Sequence, residues 1–378
     1  MSLPPIYEQW IVKIHATPTQ IVLATAGGGS QAIAQLLAVP GASRTLIEAR
    51  VPYHKEAFSQ FVGAEPEKFV SAEAARQLAG AAYRYGRQLA DPDIPVVGVA
   101  GTAALVTDRP KKGSHRAYLA LWQPDSVETC YLELTKGARK RHEEELMMSQ
   151  ALLNLVGLAV GLSDPPALPL LPNDRWSVTV LAVGQMVENW LATETPAFGL
   201  AATGSLTKVQ PPLLLSGSFN PLHEGHQKLA LAAAEFVGKP AAFELAVVNA
   251  DKPALPVATI LERMSQFAGR WPIWISRAPT YNLKAKVYPG TDFVVGWDTA
   301  VRILEPRFYG GTMAGVLDAL TVIKENGCRL IVAGRVDGQG NYQPADNLDV
   351  PAGFEELFVP LPHFRVDLSS TELREGRG

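Results

Sequence analysis

The most constraining feature of this sequence is a sharp turn between an apolar run and a helical pattern. Residues 213–215 are three leucines, residues 217–226 read Gly-Ser-Phe-Asn-Pro-Leu-His-Glu-Gly-His, and residues 227–235 are rich in alanine and leucine. An apolar run, a turn containing glycine and proline, and an alanine-rich stretch predict a strand, a tight turn and a helix.

Two histidines lie in the first turn of this predicted helix. His223 and His226 are three residues apart, so they share one helix face, and Gly225 between them lets a ligand approach the backbone. Helix N-termini favour anions because their N–H groups and dipole point outward. The pattern therefore predicts a phosphate site. Zinc is an alternative that would need His363 or an acidic residue as a further ligand. No carboxylate or cysteine stands at ligand spacing, so we expect no metal held by the protein.

The composition is that of an ordinary globular protein of about two domains. The chain has 378 residues, of which 47% are hydrophobic and 19% charged, and this length exceeds one typical core. A net charge of −3 gives no basic footprint for nucleic acid, and two cysteines cannot form a disulfide framework. We find neither a signal peptide nor a bilayer-spanning stretch. We therefore expect a cytoplasmic protein without nucleic-acid or membrane partners, compatible with a homo-oligomer.

Proline marks the predicted division of the chain. Residues 163–172 contain four prolines, which cannot continue the helix before them. We predict an α/β domain over 1–162, a proline-rich linker and unassigned segment over 163–211, and a second domain over 212–378. In the second domain short apolar strands alternate with helices, which favours a Rossmann-like, doubly wound parallel sheet. Ligands bind such sheets beyond the carboxyl ends of the strands, where the histidine turn lies.

A second anion-binding pattern stands near the end of the chain. Residues 367–374 read Asp-Leu-Ser-Ser-Thr-Glu-Leu-Arg. Ser369 followed by Glu372 is a capping box, a common way to begin a helix. Three adjacent hydroxyls and Arg374 are more than a cap needs, and an arginine fork suits phosphate oxygens. Because the segment follows the histidine turn in one domain, we interpret it as the second half of the phosphate site.

The two segments together resemble the nucleotidylyltransferase superfamily, especially the nicotinamide mononucleotide adenylyltransferases. The family pattern has Gly-x-Phe-x-Pro-x-His-x-Gly-His early and Ile-Ser-Ser-Thr-x-Ile-Arg late. Residues 296–298, Gly-Trp-Asp, are similar to its Gly-x-Asp after the fourth strand. The resemblance covers residues 212–378. It implies an ATP-binding transferase of NAD biosynthesis, which transfers a nucleoside monophosphate (AMP from ATP) to a pyridine mononucleotide and releases pyrophosphate.

The resemblance also implies a role for each matching residue. His223, His226 and Arg374 would be catalytic, and Trp297 would stack on a substrate ring. Lys252 and Arg263 fall where the family often has basic residues. The nucleotide-binding set would be Gly217, Ser218, Phe219, Asn220, Gly225, Lys252, Gly296, Asp298, Ser369, Ser370 and Thr371. Such a transfer needs positioning and charge stabilisation rather than a covalent nucleophile, with Mg²⁺ accompanying the nucleoside triphosphate.

Departures from the family pattern leave the acceptor open. The family's Pro-Pro-His-Lys segment is replaced by residues 251–256, and Asp298 is followed by Thr299 and Ala300 rather than a substrate-ring signature. The alternatives are cytidylyl transfer to a phosphorylated alcohol, a non-catalytic pyridine-nucleotide sensor and a pyridine-nucleotide amidohydrolase.

The first domain resembles the C-terminal domain of CinA, a family that deamidates nicotinamide mononucleotide. The resemblance covers about residues 11–162 and rests on segments 39–43, 51–57, 98–101 and 137–139. It places the family's serine nucleophile at Ala26 and its lysine at Phe58, close to Lys55. Thr25 and Ser30 flank the glycine turn at 27–29. Ala26 has no nucleophilic oxygen, so the resemblance implies a catalytically degenerate domain whose glycine turn can still bind a phosphate.

Overall fold

The chain divides into two compact units. The computed structural model describes residues 4–109, 112–248, 254–336, 342–343, 347–362 and 364. The first unit, here called the N-terminal unit, contains residues 1–186, 202–205 and 265–270. The second, the C-terminal unit, contains residues 187–201, 206–264 and 271–378. Each unit has its own sheet and its own apolar core. The predicted α/β class is confirmed.

The N-terminal unit is a mixed sheet with helices packed on it. Its elements are α1 (Pro5–His15), β1 (Gln20–Ala26), α2 (Ser30–Ala38), α3 (Ala42–Thr45), β2 (Leu46–Arg50), α4 (Lys55–Val62), α5 (Ala72–Leu89), β3 (Val96–Ala104), β4 (His115–Gln123), β5 (Ser126–Leu134), α6 (Arg141–Ala159) and β6 (Arg175–Leu181). The strand order is β2-β1-β3-β4-β5-β6. β1 pairs in parallel with β2 and β3, and the later strands pair antiparallel. β4 and β5 form an antiparallel hairpin in which Gln123 is opposite Ser126.

Helix α6 fills the centre of the N-terminal core. It packs against α1, α2, β3 and β4, and most of its side chains are buried. A helix that is apolar nearly all round belongs inside a protein. The apolar residues 151–159 therefore form the buried end of this helix. Within the described residues, no helix combines the length and the apolar character needed to cross a membrane.

The C-terminal unit is an α/β sheet that is mostly parallel. After α7 (Val183–Leu191), its elements are β7 (Ala197–Leu200), β8 (Leu206–Thr207), β9 (Leu213–Ser216), α8 (Glu224–Val237), β10 (Ala241–Ala246), α9 (Val257–Ser265), β11 (Ile273–Ser276), α10 (Tyr281–Val287), β12 (Asp292–Gly296), α11 (Trp297–Ile303), α12 (Met313–Glu325), β13 (Arg329–Ala333), β14 (Arg335–Val336), β15 (Tyr342–Gln343) and β16 (Phe358–Leu361). Short 3₁₀ turns cover Pro306–Phe308 and Glu355–Leu357. β14 and β15 form a separate two-stranded ribbon.

The strand order creates a switch point in the middle of the larger sheet. The order is β16-β13-β12-β9-β10-β11-β7-β8, and all pairs from β16 to β11 are parallel. The chain leaves β9 toward β10 on one side and later returns to β12 on the other. Consecutive residues of β9 to β13 are buried, so both sheet faces are covered. This is the predicted doubly wound parallel sheet.

The segment 163–211, unassigned in the sequence, supplies edge strands to both sheets. β6 pairs antiparallel with β5 in the N-terminal unit. β7 pairs antiparallel with β11, and β8 with β7, in the C-terminal unit.

A buried ion pair lies under the parallel sheet. Lys284 of α10 donates to both carboxylate oxygens of Glu244 in β10, at 2.7 and 2.6 Å. The Lys284 side chain is 4% exposed and that of Glu244 is fully buried. The Ser276 hydroxyl donates to the same carboxylate. A buried charge that loses its partner is expensive, because nothing replaces its lost hydration.

We expect Lys284→Met to lower the free energy of unfolding by about 3–5 kcal/mol, because Glu244 would stay buried without a cation. The double variant Glu244→Leu, Lys284→Met should lose less of the free energy of unfolding, since no charge is left unpaired. The matched control is Lys228→Met, which breaks the exposed Glu224–Lys228 pair and should change stability by less than about 1 kcal/mol. Urea unfolding of the three variants measures this. Equal losses for Lys284→Met and Lys228→Met would contradict the expectation.

Candidate functional site

The histidine turn lies at the switch point of the parallel sheet. β9 and β12 are parallel neighbours, with Leu215 opposite Val294. Gly217 lies two residues after Leu215, and Gly296 lies two residues after Val294. Both glycines therefore stand at the carboxyl edge of adjacent strands. Crevices at this place are where doubly wound sheets bind ligands. The structure thus brings the first motif and the predicted Gly-x-Asp segment to one edge.

A buried phenylalanine holds the turn. Phe219 is fully buried with φ of 45°, and its ring contacts the rings of Phe243 and His226 edge to face, with centroids 5.6 and 5.2 Å apart. A Cβ at position 217 would come within 2.8 Å of the Phe219 ring, so glycine is required there. The peptide bond between Asn220 and Pro221 is cis. The buried side chain of Phe219 therefore holds the turn against the core.

The two histidines are stacked at the start of α8. His223 is the N-cap residue, and its ring lies 3.7 Å from that of His226 with an angle of 27° between the planes. The backbone N–H of His223 donates to Nδ1 of His226 over 3.4 Å. A neutral His226 that accepts at Nδ1 carries its proton on Nε2. That proton is a hydrogen-bond donor suited to an anion.

Burial keeps both imidazoles neutral near pH 7. Burial, with a smaller contribution from the neighbouring His223, lowers the pKa of His226 from its ordinary value of 6.5 to about 4. Burial also lowers the pKa of His223. A bound anion would act in the opposite direction, because a nearby negative charge favours the protonated ring.

Arg263 supports the turn from helix α9. Its guanidinium donates to the backbone oxygen of Ser218 over 3.1 Å, and burial lowers its pKa. Ser218 and Asn220 are exposed, whereas Gly225 is buried. Arg263 stands where the resemblance places a basic residue, and its side chain contacts a backbone oxygen of the turn.

Open space adjoins Gly296 at the end of β12. A Cβ built at Gly296 would meet no atom within 4 Å. Trp297 and Asp298 begin helix α11 directly after it, Trp297 half-buried and Asp298 exposed. The backbone at the end of β12 is therefore uncrowded at Gly296, directly before Trp297 and Asp298.

Several predicted site residues lie outside the described part of the chain. These are Lys252, Ser369, Ser370, Thr371 and Arg374, together with His363 of the zinc alternative. Their roles stay predictions. Among the described residues, no group of three or more His, Cys, Asp or Glu side chains could hold a metal ion.

The glycine turn of the N-terminal unit, residues 27–29, is packed too tightly against neighbouring residues to hold side chains. A Cβ at Gly27, whose φ is 84°, would lie 2.1 Å from the backbone oxygen of Ala103, and one at Gly28 would lie 2.6 Å from Leu105. The Arg141 side chain donates to the backbone oxygen of Gly27 over 2.9 Å. The glycines are thus explained by close contact with β3 and its following loop.

An acidic side chain of the chain itself occupies the anion position of this turn. Oε1 of Glu145, from α6, accepts from the Ser30 backbone N–H at 2.7 Å, from the Ser30 hydroxyl at 2.9 Å and more weakly from the Gln31 N–H at 3.4 Å. These are the first amides of helix α2, where an external anion would bind. Contrary to the expectation that this turn can hold a phosphate, its donors already have a charged acceptor.

The remaining candidate nucleophiles of this turn are also engaged. The Thr25 hydroxyl, fully buried, donates to the Gly28 backbone oxygen, and the Ser30 hydroxyl donates to Glu145. Phe58 is buried, and Lys55 is exposed beside Glu56 at 3.7 Å. Sequence reasoning missed Glu145, because it lies 115 residues beyond Ser30 and inside a charge run typical of a solvated helix start.

Comparisons with known proteins concern the first part of the chain. No known family model matches the sequence, and no curated protein does. Among solved structures, the chain is similar to the competence/damage-inducible protein CihA from Agrobacterium tumefaciens, with 20% identity over 43% of this chain and 100% of that one, at a TM-score of 0.36.

Two further solved structures are competence-damaged protein (CinA) superfamily members. The one from Escherichia coli is 15% identical over 43% of this chain and 95% of that chain, with a TM-score of 0.34. The one from Enterobacter cloacae is 14% identical over 43% and 96%, with a TM-score of 0.34. The similarity to these structures covers the first 43% or so of the chain.

We expect the ring of His226 to titrate near pH 4 in the ligand-free protein. The unfolded ring takes up a proton near pH 6.5, so folding stability should fall as pH drops from about 6.5 to about 4. Histidine-ring NMR across this range measures the pKa, and His226→Asn should remove its share of the stability change. Inorganic tripolyphosphate should raise the pKa. A ring that titrates at its ordinary value in the free protein would contradict this.

Proposed function

We propose that the C-terminal unit is a nucleotidylyltransferase. It would transfer a nucleoside monophosphate from a nucleoside triphosphate to a small phosphorylated acceptor and release pyrophosphate. The observation that supports this most is the stacked pair of neutral imidazoles, His223 and His226, at the N-terminus of α8 and at the switch point of the sheet. Histidines, helix amides and open space at one sheet edge are what a polyphosphate needs.

The proposed reaction is an in-line displacement. An oxygen of the acceptor phosphate attacks the α-phosphorus, the bond from that phosphorus to the bridging oxygen breaks, and pyrophosphate leaves. No covalent enzyme intermediate is required, so the chain contributes by orientation and charge stabilisation. The Nε2–H of His226 would donate to a phosphoryl oxygen as negative charge develops there. The α8 amides and helix dipole would act in the same direction.

Phe219 and Arg263 would keep these donors in place. The Phe219 ring contacts that of His226 from the buried side, and Arg263 fixes the Ser218 carbonyl. Preorganised donors need no reorientation during the reaction, which is the main source of their effect. The proposal thus gives each described residue of the turn a task that follows from its contacts.

The metal of this proposal is Mg²⁺ bound with the triphosphate. Mg²⁺ usually keeps several waters and binds through substrate phosphates and one or two carboxylates rather than a complete protein cage. The described residues fit this mode, because Asp298 is an exposed carboxylate at the same sheet edge. The ion would neutralise charge on the phosphates. Ser369, Ser370, Thr371 and Arg374 would hold the β- and γ-phosphates.

The acceptor we favour is a pyridine mononucleotide, with AMP from ATP as the transferred group. Trp297 directly follows Gly296 at this sheet edge, and this position supports a stacking role for its indole on a flat ring. Cytidylyl transfer to a phosphorylated alcohol would not need this ring. An amidohydrolase is disfavoured because Ala26, where the resemblance places the nucleophile, has no hydroxyl, and the buried Thr25 hydroxyl donates to the Gly28 backbone oxygen.

We expect His226→Ala to lower turnover by about 10²–10³-fold, the usual effect of losing one preorganised donor. Pyrophosphate release would be measured with Mg²⁺, each nucleoside triphosphate and a panel of phosphorylated acceptors. The matched control is His142→Ala, an exposed histidine on α6 of the other unit, which should leave turnover unchanged.

The same assay distinguishes the other candidate functions. Ammonia release without a triphosphate would indicate an amidohydrolase, and nucleotide binding without product would indicate a sensor. Wild-type turnover in a correctly folded His226→Ala protein would contradict the site assignment. Thermal unfolding of each variant shows whether the fold is retained.

A further inference from the structure

The N-terminal unit contains an apolar cavity that the proposed reaction does not use. Its volume is about 250 Å³, slightly below the range of about 300–1,000 Å³ for drug-sized pockets. It lies between the second half of α6, strands β5 and β6, and the proline-rich segment 165–170. Its apolar wall includes Leu155, Leu158, Leu168, Leu170, Trp176 and Val178. A small ligand with an apolar body fits such a wall.

Polar atoms at this cavity are hydrogen-bond acceptors. Glu128 of β5 lines it and forms no ion pair among the described residues. Its described hydrogen bond comes from the thiol of Cys130 at 3.8 Å, a weak donor. Burial raises the pKa of this half-buried carboxyl, because partial loss of hydration disfavours the charged form.

Asn154 adds a second acceptor from helix α6. Its side chain is 6% exposed and lines the cavity, and its Nδ2 donates to the Pro166 backbone oxygen over 2.7 Å. Its Oδ1 is buried without a well-formed hydrogen bond to a described residue, and the buried Tyr7 hydroxyl interacts with the same side chain. Buried acceptors of this kind are rare in proteins unless a water or a ligand satisfies them.

We propose that this cavity binds a small organic cation with N–H donors and an apolar body, such as an arylalkylamine. An ammonium group would pair with Glu128 and donate toward Asn154. The apolar body would lie along the leucines and the Trp176 ring, which also attracts a cation. An anion is disfavoured because it would meet a carboxylate and an amide oxygen. A neutral ligand would leave the Glu128 charge uncompensated.

The test uses the full chain and three probes of similar shape. Phenethylamine carries the cation, 2-phenylethanol is neutral, and 3-phenylpropionate is an anion. Binding is measured by titration calorimetry, and ¹H–¹⁵N NMR shifts locate it, at about pH 8, where carboxylates and alkylamines are ionised. We expect saturable binding of phenethylamine, binding of 2-phenylethanol weaker by about tenfold or more, and no binding of 3-phenylpropionate.

Glu128→Gln keeps the shape of the side chain and removes its charge. This substitution should weaken the binding of phenethylamine by about tenfold or more and leave the binding of 2-phenylethanol nearly unchanged. The matched control is Glu133→Gln on the same strand, which lies on the opposite sheet face and should have no effect. Leu158→Trp, at a position 39% exposed, should fill the cavity and abolish binding. No binding of phenethylamine, or equal binding to the folded Glu128→Gln protein, would overturn the proposal.

Discussion

The backbone N–H groups at the start of a helix need an acceptor, and the way each unit supplies one decides what it can do. In both units a strand ends in a glycine turn that leads into a helix, α2 in one and α8 in the other. At α2 the acceptor is the carboxylate of Glu145, a buried residue of α6. At α8 the neutral ring of His226 accepts from the His223 N–H over 3.4 Å, and the His223 backbone oxygen accepts from the His226 N–H at 3.1 Å. The first turn therefore already has a carboxylate at its amides, and the second is where we propose that an external anion binds.

The cores of both units are arranged to hold these turns. In the N-terminal unit, the neighbouring Glu144 accepts from His115 at 2.7 Å and from the Val106 N–H at 2.8 Å, so α6 is fastened to β4 and to the loop after β3. In the C-terminal unit, Phe219 packs on Phe243 of β10, while Glu244 on the other sheet face pairs with Lys284. Consecutive residues of β10, which point to opposite faces of the sheet, thus stabilise the turn and the opposite layer.

The sequence predicted the local elements well because their signals are local. The strand, turn and helix predicted from residues 213–235 agree with β9, the histidine turn and α8, since an apolar run and a glycine turn mark their limits. The pairing of His223 with His226 was predictable from their spacing alone. The Glu145 contact, the Glu244–Lys284 pair and the edge strands β7 and β8 join residues far apart in the chain. Such contacts depend on tertiary packing, which residue spacing does not encode.

The most direct measurement compares the two glycine turns in one protein. Inorganic tripolyphosphate with Mg²⁺ is titrated into the ¹⁵N-labelled full chain, and backbone amide shifts are followed at 217–226 and 296–298 and at 27–31. The difference in acceptors predicts saturable shifts in the first two segments and none at 27–31, where Glu145 holds the amides. Saturable shifts at 27–31, or none around His223 and His226, would contradict the assignment of the phosphate site to the C-terminal unit.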